Sequence, residues 1–246
     1  MNCYVGDPPS RRALLVSAHP EPRSFHSALR TGAVEELEGR GWVVKVSDLY
    51  TMQFKAAVDH SDFLSPRSDG PLNVSLEQRH GWDGQSLALD IRAELHHLLE
   101  ADLLLLMFPL WWFGMPAILK GWIDRVFISG PVYGRSAVFE RGRLAGKRAV
   151  VAVTTGAPPQ AFGPGSLNGN MVDILMPLLR GVLGFTGMQV LPPFVGYQVP
   201  YVGDEGRARI LADWRAYLRS MDDLAPLPMP RLADHPDALG AGVRAH

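Results

Sequence analysis

The sequence predicts an α/β fold, a doubly wound five-stranded parallel sheet, and three observations carry that prediction. Short apolar runs alternate with segments of helical periodicity along the whole chain, the pattern that βα units produce. One run, Leu103–Phe108, is apolar without a break, as a strand covered on both faces must be. The length, 246 residues, suffices for one sizeable core and calls for no second domain.

Arg12–Ala18 reads as the first strand. Ser24 caps a helix reaching about Arg40, with Leu29, Ala33 and Leu37 at helical spacing and Gly41 as its stop. Trp42–Asp48 is the second strand. Residues 49–85 are polar and rich in Ser, Asp, Gly and Pro, which implies an insertion with short helices outside the core. Ser86–Glu100 is an amphipathic helix leading into the Leu103–Phe108 strand, and Pro116–Phe127 is the next helix. Lys147–Thr155 forms the fourth strand, and Leu167–Phe185 a helix kinked by Pro177 and Gly181. Gly187–Val195 is the fifth strand and Gly203–Met221 the last helix. Right-handed crossovers between five strands favour the flavodoxin-like order 2-1-3-4-5. Residues 1–11 then form a flexible tail, 12–222 the domain, and the proline-rich 223–246 an extended arm or tail.

A formal net charge of -1 gives no electrostatic case for nucleic acid or an acidic membrane surface. The lone Cys3 cannot form an intramolecular disulfide. Met1–Arg12 lacks the apolar core of a signal peptide, so a cytoplasmic protein is expected. The uncharged stretch Leu103–Leu119 falls short of the roughly 20 residues a membrane span needs, and Pro109, Gly114 and Pro116 interrupt it. No membrane span is expected.

Chemistry concentrates at three strand ends. Trp111, Trp112 and Phe113 leave the third strand at the crevice where the strand order reverses. Their spacing alone fits plain core as well as a wall for a flat ligand. The turn after the first strand, Ser17–His26, contains no glycine, which excludes a G-x-G-x-x-G turn and a P-loop. It opens a helix whose Phe25, His26 and Ser27 N–H groups suit an anion, with His19 and Arg23 as further donors; on its own, Ser24 is no more than an N-cap. Thr154-Thr155-Gly156-Ala157 adds hydroxyls and amides at the fourth strand's end. An anion nest, an aromatic wall and an amide edge in succession suit a flavin nucleotide. His96 and His97 diverge by about 100° on a helix, so they and Glu94 read as a solvated face, and no metal site is expected. Met171, Met176 and Met188 read as core fillers.

In four blocks the chain resembles the NAD(P)H:quinone oxidoreductase family, FAD-dependent proteins of flavodoxin-like fold. These are Ala13–Pro20 with Ser24-Phe25, Ser47–Tyr50, Phe108–Phe127 and Thr154–Gly156. The similarity runs from about Arg12 to Leu218, and the Phe108–Phe127 block is the most specific. The resemblance implies FAD, a homodimer with active sites at the subunit interface, and hydride transfer from NAD(P)H through FAD to a quinone in a ping-pong cycle. By position it implies FAD contacts at His19, Phe25 and His26 (commonly Asn in the family), and at Leu110, Trp111, Trp112 and Phe113. Further FAD contacts are implied at Thr154, Thr155, Gly156, Ala157 and Arg207. Trp111 stands for the commonest Gln and Ala157 for a second Gly. Tyr133, Gly134 and Arg135 fall in the substrate pocket, Arg135 where a second tyrosine is usual.

Phe162, also at the substrate pocket, and Asn168 fall where better-known members carry a tyrosine and a histidine beside the flavin. Neither can relay a proton. The expectation is that the Gly156 and Ala157 amides, with Asn168, stabilise the charge gained on reduction. Alternatives are an FMN-dependent azo or nitro reductase and a non-catalytic flavin-binding regulatory subunit; the Arg207 match favours FAD.

Overall fold

The computed structural model describes residues 11–237; Cys3 and nearly all of the expected N-terminal tail lie outside them, as does the chain after Asp237. In chain order the elements are β1 (Arg12–Ser17), α1 (Phe25–Glu38), β2 (Val43–Asp48), α2 (Val74–Asp83), α3 (Leu89–Glu100), β3 (Leu103–Pro109), α4 (Ala117–Val126), β4 (Arg148–Thr154), α5 (Met171–Leu178), β5 (Gln189–Val190), β6 (Phe194–Gly196) and α6 (Gly203–Ser220). The sheet runs β2-β1-β3-β4-β5, with β6 also on β4, and every pairing is parallel. The expected order 2-1-3-4-5 is therefore observed.

Alternation within the strands assigns the helices to two layers. Leu14, Val16, Leu104, Leu106 and Phe108 pack with α3, α4 and α5. Ala13, Leu15, Leu103, Leu105 and Met107 pack with α1 and α6 on the opposite face, as a period of two requires. The Trp214 indole of α6 donates to the Leu29 carbonyl of α1 at 3.0 Å, tying that layer together.

Four local expectations need correction. The fifth strand is split because Pro192 and Pro193 have no N–H to donate to a ladder. The long helix after residue 167 begins only at Met171 and passes at Leu179–Gly184 into a wide π-helical turn. There the Thr186 hydroxyl donates to the Val182 and Leu183 carbonyls, each at 3.0 Å. The 49–85 segment does carry short helices, but it also supplies core: Leu49, Phe54 and Phe63 are buried. Glu94 is buried rather than solvated, accepting from the Ser47 hydroxyl at 3.0 Å and the Trp122 indole at 2.7 Å.

Arg125 explains why the insertion is docked. Its buried guanidinium, on α4, donates to Asp62, Asp90 and the Lys55 carbonyl and lies over the Phe54 ring. The arm is also held over its described part: the Leu227 N–H donates to Val190 O at 2.8 Å, and the Leu232 and Ala233 N–H groups donate to the Glu140 carboxylate. Among the described residues no helix is long and apolar enough to cross a membrane.

Candidate functional site

β1 and β3 are neighbours, with Ser17 in register with Met107 and the Ala18 N–H donating to Met107 O at 3.0 Å. From β1 the chain crosses towards β2, whereas β3 continues towards β4. This divergence opens a crevice at the carboxyl ends of the two strands. Three segments border it.

The aromatic elbow is a closed two-residue turn. Trp111 and Gly114 exchange backbone hydrogen bonds of 3.0 and 2.9 Å. Between them Trp112 and Phe113 take φ values of +50° and +58°, the left-handed pair a type I′ turn demands. Bulky residues seldom tolerate this region, at a cost of about 1–3 kcal/mol each. Trp112 is also 98 % exposed. Strain and exposed apolar area both oppose isolated stability here, and the elbow is not part of the packed core. Among the described residues no acceptor takes the Trp112 or Phe113 N–H, whereas the Leu110 N–H is spent on Thr154 O at 2.8 Å.

The second border is the end of β4. The Thr155 N–H donates to Gly196 O at 2.9 Å, and the Ala157 N–H to the Thr155 hydroxyl oxygen at 3.2 Å. Ala157, expected to offer its amide, is thus already engaged, and the Gly156 N–H is left open among the described residues. Tyr201 stands over Gly156, close enough that a Cβ there would meet its ring at 3.6 Å. Sequence reasoning missed Tyr201, because only the turn after β6 brings it there. Arg207 braces that turn, donating to Val199 O and Asp204, while the Val199 N–H returns to Thr155 O. Nearby, the Phe162 ring lies 5.7 Å from Tyr197, and the Asn168 N–H donates to Ala161 O at 2.9 Å. The half-buried Asn168 side chain has no hydrogen-bond partner among the described residues.

The third border is the glycine-free turn. Ser24 caps α1 by accepting from the Ser27 N–H at 3.3 Å, so Ser27 is not free as expected, and Phe25 and His26 supply the open amides. Arg23 pairs with Glu21 at the surface. His19 accepts from the Glu21 N–H at 3.1 Å and stacks on His26, ring centres 5.4 Å apart. His26 is 3 % exposed; its Nε2 lies 3.1 Å from Ser17 Oγ, and its Nδ1 is buried with no partner. Burial chiefly, then the neighbouring His19 and Arg30, push the His26 pKa down to about 3, against a smaller opposing effect of Asp48.

Tyr133 is not part of this crevice. It lines a separate cavity of about 420 Å³ with Gln78, Ile123, Phe127, Val182 and Phe185. That cavity lies at the far end of α4, whose ten residues span about 15 Å from the elbow side. Gly134 accepts from the Ala137 N–H at 3.2 Å, and Arg135 is exposed. The fold therefore gathers the turn, elbow and β4-end residues and separates them from Tyr133–Arg135.

The residues present fit a flavin nucleotide: an exposed aromatic wall, open amides at its edge, and an unpartnered buried imidazole at a helix N-terminus. A family model described as flavodoxin-like fold matches residues 11–218. NAD(P)H dehydrogenase [quinone] 1 of Cavia porcellus is 40 % identical over 219 residues, covering 88 % of this chain and 79 % of that protein. The human ribosyldihydronicotinamide dehydrogenase [quinone] is 36 % identical, covering 89 % of this chain and 95 % of the relative. A crystal structure assigned as a quinone reductase from Klebsiella pneumoniae superposes with a TM-score of 0.84 at 36 % identity, covering 90 % of this chain and 89 % of the other.

Proposed function

The chain belongs to the flavodoxin-like NAD(P)H:quinone oxidoreductases, and on that premise we propose that it works as an FAD-dependent homodimer in which NAD(P)H and quinone use one pocket in turn. Its activity is that of an NAD(P)H dehydrogenase (quinone). When bound, a flavin would supply the two-electron hydride chemistry between nicotinamide and quinone.

Each border of the crevice then has a task. Trp112 and Phe113 stack on the ring and exclude water from one face, while their N–H groups and that of Gly156 donate to its polar edge. Asn168 supplies a further neutral donor from its side chain, and preorganised donors of this kind are worth on the order of 3 kcal/mol each. His19, Phe25 and His26 receive the diphosphate, with Thr154 and Thr155 lining the crevice and Arg207 steadying the turn towards the adenosine. The observation that carries this reading is the strained, exposed elbow beside the open helix N-terminus.

The homodimer is supported by the separation of Tyr133 from the crevice. A second copy docked against the elbow would bring its own Tyr133, Gly134 and Arg135 over the ring, with Phe162 on the near side. One cysteine in the whole chain is in keeping with a cytoplasmic location.

The test is the absorption spectrum of purified protein, mass analysis of the released chromophore, and NADH or NADPH oxidation with menadione. A yellow protein releasing FAD and reducing menadione is expected. Released FMN would overturn the FAD assignment, and a colourless, inert protein would overturn the whole reading.

A further inference from the structure

We propose that Arg143, together with Arg135, forms an anion-recognising rim on the Tyr133 cavity, so that the redox substrate entering it carries a phosphate, sulfonate or carboxylate beside its reacting ring. This rests on the quinone reductase reading above, in which that cavity meets the ring of a second copy, and deepens it by naming the substrate class.

The chain on both sides of Arg143 is fastened to the cavity wall. Gly142 is pressed so closely on the lining residue Thr186 that a Cβ there would lie 2.2 Å from the Thr186 carbonyl oxygen. The Leu144 N–H donates to that same carbonyl at 2.9 Å. A little earlier, the Phe139 N–H donates to the carbonyl of Phe185, another lining residue, at 2.8 Å. The Arg143 guanidinium then lies along Gly134, where a Cβ would meet its Nε at 3.9 Å and its Nη2 at 4.0 Å. Gly134 separates Tyr133, on the cavity wall, from the exposed Arg135. Two cations therefore flank the segment that carries Tyr133.

Their charge is uncompensated. Among the described residues neither guanidinium makes an ion pair or a hydrogen bond, and the carboxylates of this region are engaged elsewhere. Asp124, on the cavity wall, pairs with Lys120 at 2.6 Å, and Glu140 accepts from the Leu232 and Ala233 N–H groups. The cavity itself, about 420 Å³ with Ile123, Phe127, Val182 and Phe185 in its wall, has the size and apolar lining of a small-molecule site. An apolar chamber accepts a ring, and a guanidinium fork at its rim suits the paired oxygens of an acidic substituent. Unneutralised positive charge at a low-dielectric mouth also draws anions in from solution.

The test separates the two half-reactions of the full-length flavoprotein by anaerobic stopped flow. Flavin reduction is followed with reduced nicotinamide mononucleotide and with its phosphate-free riboside, and reoxidation with a naphthoquinone and with its sulfonate. In at least one half-reaction the anionic member is expected to gain roughly tenfold in second-order rate constant at low ionic strength, and to lose that gain as salt is raised. A response confined to reduction identifies the hydride donor's phosphate as the anion, and one confined to reoxidation identifies an acidic quinone. A sulfonate also makes the quinone a stronger oxidant, so the variants decide: Arg143→Gln should cut the anionic-to-neutral ratio roughly tenfold, and Arg143→Lys should keep the salt dependence. Equilibrium dialysis of the sulfonate, which needs no turnover, should show tighter binding to wild type than to Arg143→Gln. Rates independent of salt in both arms, or a ratio that survives Arg135→Gln and Arg143→Gln combined, would overturn the proposal while leaving quinone reduction intact. Wild-type protein that binds no flavin would overturn the reading beneath it. The salt dependence is read on wild-type protein and needs no variant to fold.

Discussion

Trp112 contributes almost nothing to the packed core, since nearly its whole surface faces solvent. Trp112→Ala is therefore expected to change unfolding free energy by no more than about 0.5 kcal/mol. The same change should weaken flavin binding by roughly three- to tenfold, because ring stacking is worth about 0.5–1.5 kcal/mol. Chemical denaturation and flavin titration check the two halves; a large stability loss with unchanged binding would make the elbow structural. At this scale the sequence was only partly legible. Its aromatic triplet and glycine-free turn are visible in the order of residues. The left-handed backbone at Trp112 and Phe113 is not, because aromatic side chains rarely signal such turns. Nor is the orphaned nitrogen of His26, which exists only because Ser17 on β1 and His19 on the turn enclose the ring.

Helix α4 joins the elbow to the insertion through a close approach at Gly121. A Cβ there would lie 2.1 Å from the Ala56 carbonyl oxygen, and backbone cannot yield as a flexible side chain can. Gly121→Ala is expected to cost about 3 kcal/mol, the upper range for overpacking. The melting temperature should fall by roughly 6–12 °C, as calorimetry would measure; an unchanged value would show that the insertion is loosely attached. Strand order and most helices were readable from apolar periodicity. The split of the last strand had a visible signal in Pro192-Pro193 that the apolar run masked. The insertion was misread because Phe54 and Phe63 are scattered among polar residues, and the Asp62 and Asp90 partners of Arg125 lie 63 and 35 positions away. No local window contains that contact.

Across the molecule, the crevice and the Tyr133 cavity occupy opposite ends of the α4 layer, which periodicity could not reveal. The resemblance named both sets of residues without indicating that one chain keeps them apart. The arm adds a second long-range connection, from the end of α6 past β5 to Glu140. Deleting the residues after Leu224 removes the Leu227–Val190 bond and the buried Leu232. The shortened protein is expected to scatter light on gentle warming while the full chain stays clear; equal clarity would assign the arm no protective part.

The paired prolines between β5 and β6 bear on the same hazard. An outermost strand with a row of unused amides invites a neighbouring molecule to add itself as the next strand. Here the row is broken at its middle by two residues that offer no N–H, and Leu227 already occupies Val190 beside the break. Cross-molecular strand growth is thereby denied a continuous template on this side of the sheet, and a crowded solution of the protein gains resistance to fibril formation from two side chains that otherwise only interrupt the ladder.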